Sequence, residues 1–170
     1  MKTDILYTKR LQLKEIEDKD KDDMLSILTD PKVYKSYMIP DLLTEEAKDN
    51  FFNRIKNATL SNDKIAYGIY LNNKVIGFVN EVERINDSIE VGYFISSLYW
   101  NQGYASEALS TMIKEFFRLG FKEVKAGHFE FNIASSKVMI KCGMIKIDEE
   151  DIIEYRGQKY NCIYYSIKNI

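Results

Sequence analysis

The chain has 170 residues, of which 24 are lysine or arginine and 26 are aspartate or glutamate, so its formal net charge at pH 7 is −2. This balance argues against nucleic-acid binding through bulk charge, which requires a strongly basic domain. With 45% hydrophobic residues, 8 Gly and 2 Pro, the composition excludes collagen-like and low-complexity disordered chains. It predicts one globular domain over residues 1–170.

The chain carries no sequence signature of a metal, a disulfide or a membrane span. It contains one histidine, and its two cysteines lack C-x-x-C spacing. The N-terminus has no apolar segment of the kind that signal peptides carry, and no run of about 18 apolar residues is present. We therefore expect a cytoplasmic protein with no bound metal and no membrane contact.

Hydrophobic periodicity and turn residues predict a mixture of strands and helices. The first half of the chain is predicted to contain a strand over 11–15, a helix near 24–28 ended by Asp30-Pro31, a helix from an N-cap at Thr44 to about 58, and a hairpin of 65–71 and 75–80. The second half is predicted to contain a strand over 89–95, a helix from about 102 to Gly120, a strand over 124–129, a helix over 134–141, and strands over 144–147 and 152–167. The helix between strands 89–95 and 124–129 implies a parallel pair with a right-handed crossover. The predicted fold class is therefore α/β (α+β), with a mixed, mostly antiparallel sheet flanked by helices.

Residues 99–108, Tyr-Trp-Asn-Gln-Gly-Tyr-Ala-Ser-Glu-Ala, connect a predicted strand to the N-terminus of an amphipathic helix. Gly103 removes a side chain at this turn, so backbone N–H groups can approach a ligand closely. The free amides of the first helical turn favour a phosphate or pyrophosphate, and the small Ala105 keeps that side open. A tight turn without a ligand is the simpler alternative. The spacing matches neither G-x-G-x-x-G nor a P-loop, which disfavours a dinucleotide or a nucleoside triphosphate.

The same ten residues resemble the acetyl-CoA pyrophosphate loop of the GNAT N-acetyltransferases. They are most similar to the RimJ/RimL-like branch, which acetylates N-terminal amines of ribosomal proteins. Three further segments agree with that branch in the same order: Thr8 to Leu13, Val75-Ile76-Gly77-Phe78, and the helix motif from Asn132 to Met144. The resemblance covers residues 8–167. It implies the GNAT fold with a splayed parallel strand pair, acetyl-CoA as cosubstrate, and a primary amine of a protein N-terminus or a small molecule as acceptor.

The resemblance also implies which residues bind the cosubstrate. The backbone of Phe94 and Ile95 would hydrogen-bond the pantetheine arm. The pyrophosphate would bind the amides from Gln102 through Glu107, which include those of Gly103, Tyr104, Ala105 and Ser106. Asn132 would contact the pantetheine or carbonyl region. Asparagine is also among the best helix N-caps, and one side chain can serve both purposes.

Acetyl transfer from a thioester to an amine needs a group that protonates the thiolate. Many GNAT enzymes use a Tyr seven positions after the motif's Asn, where this chain has Met139. The branch instead has a Ser at the position of Ser135, which we nominate as the group near the CoA sulfur. The alternative for Ser135 is a solvated first-turn serine. Its neighbour Ser136 points about 100° away around the helix and is the weaker candidate.

The amine must also lose a proton, because an ammonium group has a pKa of about 10. Glu90 is the candidate general base because it lies on the strand that leads to the thioester. Glu81 and Glu83 on the preceding strand are its rivals by alternation. A mechanism through ordered water needs no single base.

The other candidates have simpler explanations. His128 has no matching nucleophile or carboxylate and is expected to be a buried or edge histidine, and Cys142 a small core residue. Residues 18–58, with two predicted helices, are expected to form a lid over the acceptor site. Because Met139 and Met144 replace the family's usual Tyr and Phe, a non-catalytic acetyl-CoA-binding regulatory module is the alternative function. The strand-rich C-terminal end could support the contact of a homodimer.

Overall fold

An eight-stranded sheet forms the centre of the computed structural model, which describes all residues from 1 to 170. The strands are β1 (Leu6–Tyr7), β2 (Gln12–Lys14), β3 (Ala66–Leu71), β4 (Lys74–Ile85), β5 (Ser88–Ile95), β6 (Glu123–Phe129), β7 (Ile145–Tyr155) and β8 (Gln158–Lys168). They lie in the order β1-β2-β3-β4-β5-β6-β8-β7. Only β5 and β6 are parallel, and every other neighbouring pair is antiparallel. The predicted fold class is confirmed.

Helices cover both faces of the sheet. They are α1 (Lys21–Leu28), α2 (Pro31–Tyr34), α3 (Glu45–Leu60), α4 (Tyr104–Arg118) and α5 (Ile133–Lys141). One core joins β5 and β6 to the apolar side of α4, where Leu109, Met112 and Phe116 are buried as predicted. A second core joins α1 and α3 to Phe78 and Phe94. None of the helices combines the length and the apolar character that a membrane crossing needs.

The Asp30-Pro31 pair begins a helix that the sequence did not predict. The Asp30 side chain accepts a hydrogen bond from the Lys32 N–H at 3.0 Å, and Pro31 is the first residue of α2. Proline suits this position because its ring fixes a helical φ and the N–H that it lacks would have no partner there. The expectation of two helices within residues 18–58 was therefore wrong, since the segment contains three.

The limits of several strands also differ from the prediction. The predicted strands over 144–147 and 152–167 are β7 (Ile145–Tyr155) and β8 (Gln158–Lys168), which a turn at Arg156-Gly157 joins. β4 continues to Ile85 instead of ending near Asn80, because the prediction followed an apolar run and the last four residues of the strand are exposed. A shift of register also lies between Glu81 and Glu83. Asn86, with a φ of 55°, then forms the turn into β5. The short strand β1, which pairs with β2, was not predicted at all.

β5 and β6 separate after three residue pairs. Ser88 to Glu90 pair with residues 123–125, whereas residues 91–95 and 126–129 have no partner across this pair of strands. On their outer sides, β5 stays paired with β4 and β6 stays paired with β8. A gap therefore opens between the carboxyl halves of β5 and β6.

A buried carboxylate, Glu115, ties the N-terminal segment to α4. Glu115 is 3% exposed, accepts a hydrogen bond from the Thr3 N–H at 2.7 Å and pairs with Arg118 at 2.7 Å. Burial alone would raise the pKa of Glu115, but these hydrogen bonds outweigh it and lower the pKa. The ionised carboxylate therefore stabilises the folded chain.

We expect Glu115→Gln to lower the free energy of unfolding at neutral pH by about 1–3 kcal/mol, the cost of leaving a buried donor poorly paired. Because the pKa of Glu115 is lower in the folded state, its contribution is complete above the unfolded value of about 4.3 and is lost as the pH falls through the folded value. Chemical denaturation of both proteins at neutral pH and at about pH 3 measures this difference. A difference that does not change with pH would contradict the prediction.

Candidate active site

The gap between β5 and β6 opens into a cleft of ≈ 920 Å³, which we call the active-site cleft. Ser135 of α5, Glu90 of β5 and Tyr37 of the loop after α2 all line this cleft. The structure thus brings both predicted catalytic residues to one cavity. It adds Tyr37, to which the sequence analysis gave no catalytic part.

The N-terminus of α4 has no side-chain cap and lies beside two cations. Gly103 precedes the helix with a φ of 82° and has no side chain that could accept the first-turn N–H groups of residues 104–106. A Cβ atom on Gly103 would lie 3.3 Å from Arg10 Nη2 and 3.7 Å from Lys141 Nζ. Uncapped amides, the positive end of the helix dipole and two adjacent cations together suit a phosphate group. Gln102, also predicted to bind there, is exposed in the turn before Gly103.

Arg10 is held against α4 by Glu107 and Tyr104. Glu107 accepts hydrogen bonds from the Arg10 N–H at 2.7 Å, from Arg10 Nε at 2.8 Å and from the Thr8 hydroxyl. The guanidinium carbon of Arg10 lies 4.2 Å from the centre of the Tyr104 ring. Partial burial opposes ionisation of Glu107, but the hydrogen bonds from Thr8 and Arg10 lower its pKa overall. The segment that begins at Thr8 thereby positions the Arg10 guanidinium beside Gly103.

The pairing of β4 with β5 decides which backbone groups face the gap. The Ser96 N–H donates to the Ile76 carbonyl at 2.7 Å, which marks a hydrogen-bonded pair of the ladder. Such pairs alternate along antiparallel strands, so Phe94 bonds to β4, while Tyr93 and Ile95 direct their backbone groups toward the gap. Of the two predicted backbone contacts, Ile95 therefore faces the gap and Phe94 does not. Tyr93 instead directs its backbone groups to the gap, and both Tyr93 and Phe94 line the cleft.

Asn132 and Ser135 form a reciprocal pair at the start of α5. Asn132 Oδ1 accepts the Ser135 N–H at 3.3 Å, which confirms the predicted N-cap, and Asn132 Nδ2 donates to Ser135 Oγ at 2.9 Å. Ser135 is 3% exposed, so it is not the solvated serine of the alternative interpretation. Because Ser135 Oγ accepts from an amide, its own hydrogen remains available to a group in the cleft. The Ser136 hydroxyl instead donates to the Ile133 carbonyl at 2.8 Å.

Tyr37 brings a second hydroxyl to this pair. Burial raises the pKa of Tyr37, and hydrogen bonding of its hydroxyl with the side chains of Ser135 and Asn132 opposes that rise. The Tyr37 ring packs against Phe94 with 6.2 Å between ring centres. Three polar side chains from two separate elements therefore meet at the start of α5.

The β7–β8 hairpin fastens the loop that carries Tyr37. The Tyr155 hydroxyl lies 2.7 Å from the carbonyl oxygen of Tyr34 and 2.6 Å from that of Ile39. Arg156 donates to the carbonyls of Ile39 at 2.9 Å and Pro40 at 3.2 Å, and its guanidinium lies 4.0 Å from the centre of the Tyr34 ring. Part of the segment expected to be a lid is thus tied to the C-terminal strands.

Glu90 is a half-buried carboxylate that has no hydrogen-bond or ion-pair partner in the chain. Burial raises the pKa of Glu90, the nearby carboxylates of Glu83 and Glu149 raise it further, and Lys125 opposes them. Lys125 itself pairs with Glu149 at 2.6 Å. Glu90 therefore combines access to the cleft with a reduced tendency to stay ionised, which suits a proton acceptor.

The two alternative carboxylates, Glu81 and Glu83, are less suited to accept a proton from the amine. Glu81 is buried and accepts hydrogen bonds from the Ile65 N–H at 3.0 Å and from Arg84 Nε at 3.0 Å. Its oxygens therefore stabilise the sheet and are not free to take a proton. Glu83 is exposed and does not line the cleft.

His128 and Cys142 occupy the kinds of position expected of them. His128 is 6% exposed, and its Nδ1 lies 2.7 Å from the Phe129 carbonyl. A carbonyl oxygen only accepts, so Nδ1 carries hydrogen; Nε2, the other ring nitrogen, is buried without a partner. Cys142 packs against the core beside α4 with its Sγ 3.3 Å from the Ser106 carbonyl, and burial raises the pKa of its thiol to about 11.

The sheet has one splayed parallel pair, and an uncapped helix start follows next along the chain. A family model described as the acetyltransferase (GNAT) domain matches residues 10–145. The chain belongs to this family and is an acetyltransferase, as the sequence predicts.

Several curated relatives are N-acetyltransferases by name. An uncharacterised N-acetyltransferase of Bacillus subtilis, YnaD, is 31% identical over 145 residues, which are 82% of this chain and 81% of the relative. A second one from that organism, YoaA, is 27% identical over 172 residues and 96% of both chains. The FsC-acetyl coenzyme A-N(2)-transacetylase of Aspergillus fumigatus is 27% identical over 154 residues, 84% of this chain and 66% of the relative.

Solved structures share the same architecture. A GNAT-family acetyltransferase from Bacillus anthracis superposes with a TM-score of 0.82 at 25% identity, covering 96% of this chain and 98% of the other. The RimL ribosomal L7/L12 alpha-N-protein acetyltransferase, solved with CoA, gives 0.78 at 18% identity, covering 96% and 97%. The acetyltransferase MccE, solved with acetyl-CoA and AMP, gives 0.80 at 16% identity, covering 95% and 93%.

Proposed function

We propose that the protein transfers an acetyl group from acetyl-CoA to a primary amine, by direct attack within a ternary complex. The observation that carries this proposal is the active-site cleft, where the β5–β6 gap meets an unpaired carboxylate and a serine hydroxyl with an available hydrogen. The acceptor would be a protein N-terminus or a small-molecule amine.

The residues present fit an acyl-CoA. The N–H groups of residues 104–106, together with Arg10 and Lys141, would hold the pyrophosphate. The gap-facing backbone of Tyr93 and the N–H of Ile95 would hydrogen-bond the pantetheine arm, while the Ile95 carbonyl already accepts from Trp100 Nε1 at 2.8 Å. When bound, acetyl-CoA supplies an acetyl group activated as a thioester. Because backbone amides and two local cations bind the anion, a net charge of −2 is no obstacle.

Glu90 prepares the amine for attack. An ammonium group with a pKa of about 10 is not a nucleophile until a base removes one proton. Glu90 would take that proton, directly or through one water, and release it to solvent. Its raised pKa brings it closer to the pH at which it works, and no ion pair competes for its oxygens.

Ser135 serves the leaving group. As the bond from nitrogen to the acetyl carbon forms, the carbon–sulfur bond breaks and the departing sulfur gains negative charge. Ser135 would donate its hydroxyl hydrogen toward that sulfur, while Asn132 Nδ2 holds Ser135 Oγ in place. The Tyr37 hydroxyl lies beside the same serine, and Ser135 would regain its proton from solvent through it, so that neither residue keeps a charge.

A non-catalytic acetyl-CoA-binding module remains the alternative, and Met139 is the observation in its favour. The Met139 side chain is buried in the core and cannot donate a proton. Ser135 and Tyr37, however, place two hydroxyls at the start of the same helix, so the absence of a tyrosine at 139 does not leave the sulfur without a donor.

Two measurements on the intact protein test the proposal: thermal unfolding with and without acetyl-CoA, and CoA release with a panel of amines and N-terminal peptides. A ligand that binds only the folded state stabilises it by about 2.7 kcal/mol at 100 times its Kd, so we expect a higher Tm with acetyl-CoA. A shift in Tm with turnover supports the proposal. A shift without turnover across the panel supports the module, and no shift contradicts both.

The rate of acetylation should depend on the ionisation of Glu90. We expect kcat/KM to fall as the pH is lowered through the raised pKa of Glu90, because the protonated carboxyl cannot accept a proton. Glu90→Gln should lower kcat/KM by about 10²–10⁴-fold, the usual contribution of a general base, and remove this acidic limb. Glu83→Gln, the exposed neighbour, should keep the acidic limb but move it to lower pH, because the Glu83 carboxylate helps to raise the pKa of Glu90. An unchanged acidic limb in Glu90→Gln would assign proton removal to water.

A further inference from the structure

The charges that line the active-site cleft leave one carboxylate free. Glu90 has no partner, whereas the buried carboxylate of Glu81 is neutralised by Arg84 and by Lys64 at 3.4 Å. Arg54 of α3 also lines the cleft and has no carboxylate partner. A ligand with several ammonium groups would therefore meet one available negative charge and an unpaired positive one.

The wall around these charges is mainly apolar. Aromatic and aliphatic side chains of α3 and of four strands line it: Phe51, Phe78, Phe129, Ile153, Tyr155 and Tyr164. Phe129 and Tyr155 stack with 5.9 Å between ring centres and 25° between planes. Apolar ligand surface is removed from water against such a wall.

His128 adds one neutral acceptor to the same cleft. Its Nε2 is the one buried side-chain nitrogen or oxygen in the chain without a partner, and the residue lines the cleft. A neutral imidazole nitrogen accepts one N–H or O–H group without adding a second negative charge. The cleft thus offers hydrogen-bond acceptance beyond Glu90 but no second carboxylate.

We infer that the acceptor is a monoamine, with one primary amino group on an apolar or aromatic body and no second ammonium group. This inference rests on the proposed acetylation and narrows its acceptor. It excludes polyamines and aminoglycosides as the preferred substrates, because their additional cations would remain unpaired in the cleft and their polar bodies would face an aromatic wall.

The test compares kcat/KM for 2-phenylethylamine, spermidine and kanamycin at one acetyl-CoA concentration. We expect 2-phenylethylamine to exceed each of the other two by about tenfold or more, the discrimination that a well-matched pocket gives. Equal or better turnover of spermidine or kanamycin overturns the inference and leaves the proposed acetylation standing. No turnover of these three amines or of the N-terminal peptides, with the shift of Tm by acetyl-CoA intact, overturns both.

A variant at the rim of the cleft tests the electrostatic part. Met38 lines the cleft and is 58% exposed, so a polar residue there does not disturb the core. Met38→Glu adds a second carboxylate and should raise the spermidine to 2-phenylethylamine ratio by about 1.5- to 5-fold, as exposed ion pairs do. Met38→Gln, of similar shape and without charge, should leave the ratio unchanged. Equal effects of the two variants would overturn the inference.

Discussion

Replacing Gly103 by Asp is expected to weaken acetyl-CoA binding by about 100-fold or more, because hydrogen bonds to charged groups contribute about 1.5–3 kcal/mol each and 1.4 kcal/mol is tenfold. The new Cβ would lie 3.3 Å from Arg10 Nη2 and 3.7 Å from Lys141 Nζ, so its carboxylate would pair with the two cations that we assign to the pyrophosphate. The variant would therefore fill the anion site with its own side chain.

Gly103→Asn is the matched control for this prediction. Asparagine has nearly the shape of aspartate, and both residues visit the left-handed region that the φ of 82° requires. The asparagine variant lacks the negative charge, so its loss of affinity should be clearly smaller than that of Gly103→Asp. Calorimetric titration with CoA measures both affinities, and thermal unfolding checks that both variants fold. Wild-type affinity in Gly103→Asp would show that the pyrophosphate does not bind at α4.

Features that depend on nearby residues were predictable from the sequence. The apolar side of α4 follows from helical spacing, and its residues are buried where that spacing places them. Asn132 is an N-cap because its side chain satisfies an N–H three residues later, a contact within one helical turn. Ser135 shares that turn, so its position beside Asn132 could also be predicted.

Features that depend on distant contacts were not predictable. Arg10 and Lys141 approach Gly103 only because the N-terminal segment and the end of α5 both pack near the start of α4. Tyr37 reaches Ser135 because Tyr155 and Arg156, more than a hundred positions along the chain, hold its loop. No local pattern in residues 30–40 indicates that Tyr37 reaches Ser135.

The orientation of β5 shows a further limit of sequence patterns. Alternation places every second side chain on one face, but it does not say which backbone groups bond to β4. The shift of register between Glu81 and Glu83 helps to set that order, and it was invisible in the sequence. For the same reason alternation did not separate Glu81 from Glu90. The hydrogen bonds distinguish the two residues: Arg84 and the Ile65 N–H donate to the Glu81 carboxylate, whereas Glu90 is the free carboxylate of the cleft.

Ser135→Ala is expected to lower kcat by about 10²-fold or more, at the lower end of what a positioned proton donor contributes, while the Kd for acetyl-CoA stays within a factor of a few. The departing sulfur would lose its donor, whereas the groups that we assign to the pyrophosphate, the first-turn N–H groups of α4 with Arg10 and Lys141, are unchanged. The substitution also leaves Asn132 Nδ2 without its 2.9 Å partner, at a cost of about 1–3 kcal/mol in stability. Thermal unfolding must therefore accompany the kinetics.

Ser136→Ala is the control for Ser135→Ala, because the Ser136 hydroxyl donates to the Ile133 carbonyl and does not line the cleft. It should keep the wild-type kcat. Tyr37→Phe separates the two hydroxyls at the start of α5: if Tyr37 only returns a proton to Ser135, its loss lowers kcat less than the loss of Ser135 does. If Tyr37→Phe is the more damaging change, the tyrosine is the direct donor to sulfur and Ser135 positions it. Wild-type kcat in both Ser135→Ala and Tyr37→Phe would remove these two residues from the proton path.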